Sequence, residues 1–256
     1  DVYKGQQSKW AKLVKSDSLT GNGNLVFLGR TGDPAGYESG FLLGGDAAFT
    51  GSVELRGTTS NLQQKIELLS ENVLKNASVK LNSSGGGSIR LMVSTANAEI
   101  AGLEGTGNDN ILQSKTAGNN LIVNGGGTYN GAVGAGLNLI KKGAATLVIT
   151  GQSDYFNSTI TAQGGILDVA GAVFTLADAK FRLDGGTIQG LNLKAGQILS
   201  TSGAAGSQAK DLSIDGGIVY FPGATTTAIE VSGNLTLGSS GIVLKFDESL
   251  TRNQPH

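Results

Sequence analysis

The chain contains no cysteine and three prolines, and its one histidine is His256, the last residue. The first absence removes disulfides, thiol nucleophiles and thiolate metal sites, and the lone terminal histidine removes a Ser-His-Asp triad. Aromatic residues make up 5 % and charged residues 15 % of the chain. Lys plus Arg (19) and Asp plus Glu (20) leave a net charge of −1, so no excess of charge draws the chain to nucleic acid or anionic lipid. No apolar run reaches the roughly 18 residues of a membrane span, and Asp1 opens without the regions of a signal peptide. A mature protein or an excised fragment is expected. No intact G-x-G-x-x-G follows a strand and the Walker pattern is absent, so nucleotide binding has no support.

Glycine is abundant, with 41 of 256 residues, roughly twice the usual share. There is no Gly-X-Y triplet, and 39 % of residues are hydrophobic, which excludes collagen and disorder and leaves enough apolar side chain for a continuous core. Those side chains alternate. Val53 and Leu55, Val79 and Leu81, Ile89, Leu91 and Val93, Leu137 and Leu139, and Leu147 and Ile149 follow period two. So do Leu167 and Val169, Phe181 and Leu183, Leu212 and Ile214, Leu235 and Leu237, and Ile242, Leu244 and Phe246. This is the pattern of short half-buried strands.

The strands recur at a near-constant interval. Leu147 to Leu167 is 20 residues, Ile214 to Leu235 is 21, and the glycine pairs ending at Gly165, Gly186 and Gly217 are 21 and 31 apart. Such spacings fit one coil of a solenoid per repeat, with glycine at the corners. A uniform coil of roughly 22 residues predicts about 11 or 12 coils and a rod on the order of 50 Å long. Residues 1–20 are expected to cap or lead into the rod, and 21–256 to form it. Within the first segment, Lys4, Lys9, Lys12 and Lys15 around Trp10, Leu13 and Val14 predict a short basic amphipathic helix over Tyr3 to Ser16. Asn61 to Asn72 fits a helical face as well as a strand and turn. Asn82 to Ser88 and Ser202 to Ser207 read as surface loops.

At residues 66 to 170 the pattern becomes more specific. It runs Tyr129-Asn130-Gly131-Ala132-Val133, then Leu139-Ile140-Lys141-Lys142-Gly143-Ala144-Ala145-Thr146-Leu147-Val148-Ile149-Thr150-Gly151, then Tyr155, then Gly165-Ile166-Leu167-Asp168-Val169. This resembles the passenger-associated transport repeat of bacterial autotransporters. Ile66 to Leu74, Ser78 to Leu81 and Ile100 to Gly107 are similar to the coils that usually precede it. Ala145 stands where that family usually has glycine, and Phe156-Asn157-Ser158 replaces its glycine-rich turn. The resemblance implies an all-β, right-handed parallel β-helix, exported across the outer membrane of a Gram-negative bacterium and displayed on or released from the surface. It implies an outer-membrane β-barrel translocator as partner during export and no catalytic residues. The polar tail Asp247 to His256 shows no barrel strands, so the expected entity is a passenger fragment. The absence of cysteine agrees with threading through a narrow pore.

Individual constellations are weak. Glu104-Gly105-Thr106-Gly107-Asn108-Asp109-Asn110-Ile111 nearly matches a calcium-binding nonapeptide, with Asp109 as candidate ligand, but stands as a single copy. An Asn/Gly corner is the simpler reading. Asp168, Asp184, Asp211 and Asp215 are the candidates for paired carboxylates, yet an Asp before Gly-Gly, as at Asp184 and Asp215, is also what a turn requires. The sequons at Asn76, Asn82, Asn157 and Asn234 are chance matches in a chain rich in Asn, Ser and Thr. Tyr3, Trp10, Tyr37, Tyr129, Tyr155, Tyr220 and Phe221 are candidates for a sugar-stacking face, with Tyr129 and Tyr155 at repeat-equivalent corner positions.

The expected function is therefore an adhesin or structural display rod with no catalytic, cofactor or metal residues. It is expected to be monomeric, and loops such as Thr31 to Gly40 would meet a receptor or glycan on a host or neighbouring cell. A polysaccharide-degrading enzyme on the same scaffold and a trimeric phage-tail-like fibre are the alternatives.

Overall fold

A computed structural model of the chain describes residues 2–3, 13–16, 19–28, 38–46, 48–57, 63–83, 88–153, 157–222 and 228–247. Among them there is no helix, and the strands stack as a parallel β-helix of about nine turns. Cα partners trace the stack. Phe27 pairs with Leu55, and the column continues through Leu81, Gly105, Tyr129 and Ile149. A neighbouring column runs Leu147, Leu167, Ile188, Ala209 and Val231. Successive steps are 28, 26, 24, 24 and 20 residues, then 20, 21, 21 and 22. The described turns number fewer than the 11 or 12 expected because their steps, about 23 residues on average, take up only about 206 of the 256 residues. Nine turns at about 4.8 Å give a stack of roughly 43 Å.

The rod tapers. Its first coils carry strands of nine and ten residues on the main face, Thr20–Leu28, Ala48–Arg56, Leu74–Asn82 and Asn97–Thr106. A second, six-stranded sheet lies beside them. Its strands shorten from Glu38–Leu43 and Gln63–Leu68, through Ile89–Val93 and Asn110–Ser114, to Ala132–Val133. From Asn120 the long strand divides into two short ones, such as Asn138–Lys141 with Thr146–Ile149 and Thr159–Ala162 with Ile166–Asp168, until undivided strands of eight residues return at Gln208–Asp215 and Glu230–Leu237. The glycine pairs lie at the new corners, where Gly165 and Gly185 have φ of 56° and 95°, which a Cβ would oppose.

Inward residues form the core. Val53, Val79, Leu91, Leu121, Leu139, Leu147, Leu167, Phe181 and Leu199 are buried, as the alternation requires. Polar side chains also stack along the rod. Asn120 Nδ2 donates to Asn97 Oδ1 at 2.7 Å and Asn138 Nδ2 to Asn120 Oδ1 at 3.0 Å. Such ladders satisfy side-chain amides along the axis as the backbone ladder satisfies peptides. Lys141 takes an inward place in the column Val123, Lys141, Ala162, Leu183. Its Nζ donates to the carbonyls of Lys142 and Gly143, and burial pushes its pKa down.

On the third face the ladder is interrupted. Val173–Phe174 pairs only with Gln152–Ser153, and Asn192–Lys194 pairs with the strand Gln208–Asp215. A small dent of about 70 Å³ lies between them, lined in part by Val173, Phe174, Leu191 and Lys194. Gln197, 1 % exposed, closes the break with its side-chain amide. Nε2 donates to Phe174 O at 2.8 Å and to Leu176 O at 3.2 Å, and Oε1 accepts from Lys194 N at 3.0 Å. Gln197→Leu keeps the volume and removes all three bonds, so a loss of about 2 kcal/mol is expected in a urea titration, against less than about 0.5 kcal/mol for an exposed control such as Lys210→Gln.

Two local expectations are now decided. Leu13–Ser16, assigned to a basic helix, is instead a strand paired in parallel with Gly40 to Leu43, because a place on an open sheet edge overrides a short helical spacing. Residues 4–12 of that segment lie outside the described residues. Within Asn61 to Asn72, Gln63–Leu68 is a strand between two others. Ser202 to Ser207 joins the strands Ile198–Thr201 and Gln208–Asp215, as expected of a loop. Of Thr31 to Gly40, residues 31–37 lie outside the described residues, as do 84–87 of the Asn82 to Ser88 stretch.

Candidate functional site

Among the described residues a group of charged side chains sits on the outer side of the second sheet. Along Gln63–Leu68, Ile66 and Leu68 point inward, which turns Lys65 and Glu67 outward by the period of two. Both are nonetheless buried. Register sets Arg90 beside Lys65 and Met92 beside Glu67, with Gln113 beyond Met92. Three donors converge on the Glu67 carboxylate. Ser94 Oγ donates to Oε1 at 2.6 Å, Lys115 Nζ to Oε1 at 3.0 Å, and Lys65 Nζ lies 3.2 Å from Oε2. Burial pushes the Glu67 carboxyl up, but the hydrogen bonds from Ser94, Lys115 and Lys65 and the Lys65 charge outweigh it and hold the pKa below its usual value. The group therefore stays an ionised acceptor at neutral pH and is no proton donor. The Arg90 Nε is buried without a hydrogen-bond partner.

None of these residues stood out as a site in the sequence. Lys115 reaches Glu67 across 48 residues, a separation that only the coil register reveals. The one local sign is the pair Lys65 and Glu67 at alternate positions beside Ile66 and Leu68.

The four candidate acids fall in separate places. Asp168 is in register with Gln189, and Gln189 with Lys210. Its oxygens accept from Ala170 N at 3.0 Å and Gln189 Nε2 at 3.2 Å. Asp184 accepts from Ser202 Oγ and from Gln163 Nε2 at 2.9 Å, and these bonds, the Ser202 bond foremost, hold its carboxyl below the usual range. Asp211, at φ 53°, accepts from Asn234 N at 3.0 Å beside a register shift between Lys210 and Leu212. Asp215 lies opposite Lys194 and accepts from Ser240 N at 2.8 Å, which lowers its pKa. Each carboxylate thus serves a turn or a ladder, the simpler of the two readings, and no two of them occupy one column.

At the nonapeptide-like corner, Asn110 is fully buried and its Nδ2 donates to Leu81 O and Thr106 O, each at 2.8 Å. The Asn/Gly corner is what forms. Among the described residues no group of three or more His, Cys, Asp or Glu could hold a metal, and Asp109 belongs to none. Among the described residues the candidate aromatics lie apart, Tyr129 on one coil and Tyr220 and Phe221 on a much later one. Tyr129 is wholly buried, its hydroxyl donates to Ala132 O at 3.2 Å, and burial raises its pKa well above the ordinary value. Tyr220 faces outward at the far end, donates to Asp247 Oδ1 at 2.8 Å and lies under Lys245 Nζ at 5.6 Å. Trp10, Tyr37 and Tyr155 are outside the described residues.

No family model matches the chain, and neither a curated protein nor a solved structure matches it.

Proposed function

We propose that this chain is the β-helical passenger of an exported bacterial surface protein, a rod that acts as an adhesin or structural display element. The observation that carries the reading is the single-file construction. Each turn is closed by one chain and hydrogen-bonded to the turn before and the turn after. A stack of that kind gains stability coil by coil through nearest-neighbour interfaces. Folding from one end can therefore hold each length of chain that emerges from a narrow pore. The lack of cysteine and the residue resemblance over 66 to 170 point the same way, and the corner Lys141-Lys142-Gly143, with the Lys141 ammonium turned in and capped by carbonyls, gives that stretch a defined shape.

The test is display. With a signal peptide and a translocating barrel appended in a Gram-negative host, the chain is expected to reach the surface, as read by protease accessibility on intact cells. Deleting the coils from residue 198 to 247 is expected to remove most of that signal. Removing residues 147–166, one 20-residue step that restores the register at Leu167, is expected to be tolerated. Undiminished display of the form lacking residues 198 to 247 would overturn the reading.

A further inference from the structure

Arg90 stands outward in the middle of Ile89–Val93, because Ile89, Leu91 and Val93 are the buried, inward members of that strand. In a sheet a side chain has four close neighbours on its own face, the two cross-strand partners and the residues two positions away on its own strand. For Arg90 these are Lys65 and Ile111 across the ladder, and Ser88 and Met92 along the chain. None is a carboxylate. Glu67, diagonal to Arg90, is already held by Ser94, Lys115 and Lys65. Asp109, diagonal on the other side and two residues before Ile111, is exposed. Among the described residues the Arg90 Nε is buried and has no hydrogen-bond partner, and the same holds for the Ser88 Oγ. The ladder fixes Ser88, whose carbonyl accepts from Gln64 N at 3.1 Å. Two donors on one face, both shut off from water and both unmet, are costly in a folded chain.

We propose that Ser88 and Arg90 form a binding site for one oxyanion, a sulfate or carboxylate group, with Lys65 and Lys115 adding the positive field that draws it in. Residues two positions apart on a strand stand roughly 6.6 Å apart. That leaves room for one such group, which accepts from the Arg90 guanidinium on one side and from the Ser88 hydroxyl on the other. The guanidinium presents Nε and one Nη as a fork that matches two oxygens of the anion at about 2.7–2.9 Å. Charge agrees with this. Lys65, Arg90 and Lys115 against Glu67 and Asp109 leave one positive charge on this face, in a chain whose net charge is −1. The ligand is a free ion or the same group carried on an acidic saccharide. The inference stands on the geometry of this face and not on the export route proposed above.

Isothermal titration of the 256-residue chain with inorganic sulfate at constant ionic strength tests it. Saturation at one ion per chain is expected, with a dissociation constant on the order of 1 mM. Arg90→Lys keeps the charge and removes the fork, and is expected to weaken binding by about tenfold or more. Ser88→Ala should weaken it by about threefold, and Asp109→Asn, which removes the opposing charge, should tighten it by about as much. Lys210→Gln, on another face, should change nothing, and circular dichroism confirms that each variant folds. Titration with a sulfated disaccharide and with a uronic acid disaccharide separates the sources. Tighter binding than that of inorganic sulfate, lost in Arg90→Lys, assigns the group to a saccharide; equal or weaker binding assigns it to a free ion, and either result supports the oxyanion site. No saturation, several equivalent ions per chain, or Arg90→Lys binding as well as the wild type would overturn the proposal.

Discussion

Tyr129→Ala is expected to destabilise the rod by about 3–5 kcal/mol. The phenol ring fills the stack between Gly105 and Ile149, its Cα partners on the coils to either side. The fit on one side depends on the absence of a side chain, since a Cβ at Gly105 would lie 2.8 Å from Tyr129 Cδ2. Removing the ring leaves a cavity that rigid ladders above and below cannot close, and cavity volume is what raises the cost of truncation. Tyr129→Phe deletes only the hydroxyl and its bond to Ala132 O, for an expected loss of about 1 kcal/mol. The pair is coupled. Gly105→Ala is destabilising beside the tyrosine and milder once Tyr129 is alanine, so a double-mutant cycle in urea should return at least about 0.5 kcal/mol of interaction. Additive effects would contradict this packing.

That small-on-large match shows what the sequence carried and what it did not. Period-two alternation marks Leu139, Leu147, Leu167 and Phe181 as inward wherever they are counted, because in a strand the facing of a side chain is a local property. Step lengths near 20 mark the coil, because Leu147, Leu167 and Ile188 need the same turn chemistry each time. The Gly-Gly pairs mark corners for the same reason. Stacking order is not local. Whether Gly105 lies under Tyr129, or Lys115 over Glu67, depends on how many residues each earlier coil spends in its corners, and those numbers run from 28 down to 20. A miscount in any corner would change every later stacking partner while leaving each strand's own facing untouched. The acids at 168, 184, 211 and 215 show the other side of this. Sequence alone leaves open that they align, and the register separates them. Leu235, Leu244 and Phe246 are inward by pattern, and cover is a separate matter that alternation does not report, since among the described residues all three are exposed.

Glu67→Gln is expected to cost about 3 kcal/mol at pH 7, the lower end of what breaking a buried ion pair costs. The carboxylate is held by three donors, two of them ammonium groups, with its own side chain 3 % exposed and that of Lys65 10 % exposed. Lys115, 62 % exposed, can return its charge to water when the carboxylate is lost. Lys65 cannot do so readily, and its desolvation is where the cost arises. Lys115→Met should accordingly cost under about 1 kcal/mol, as a largely solvated partner does. The pH dependence separates charge from shape. The Glu67 pKa is lowered in the folded state relative to an unfolded value of about 4.3. Its contribution is therefore complete above that value and is lost as the pH falls through the folded pKa, where the folded carboxylate must also take up a proton. The wild type should then lose stability between about pH 5 and pH 3 more steeply than Glu67→Gln, which has no such proton to bind, and the gap between them in urea titrations should narrow with acid. A gap that stayed constant from pH 7 to pH 3 would mean that the ionised carboxylate does not hold this face of the second sheet together.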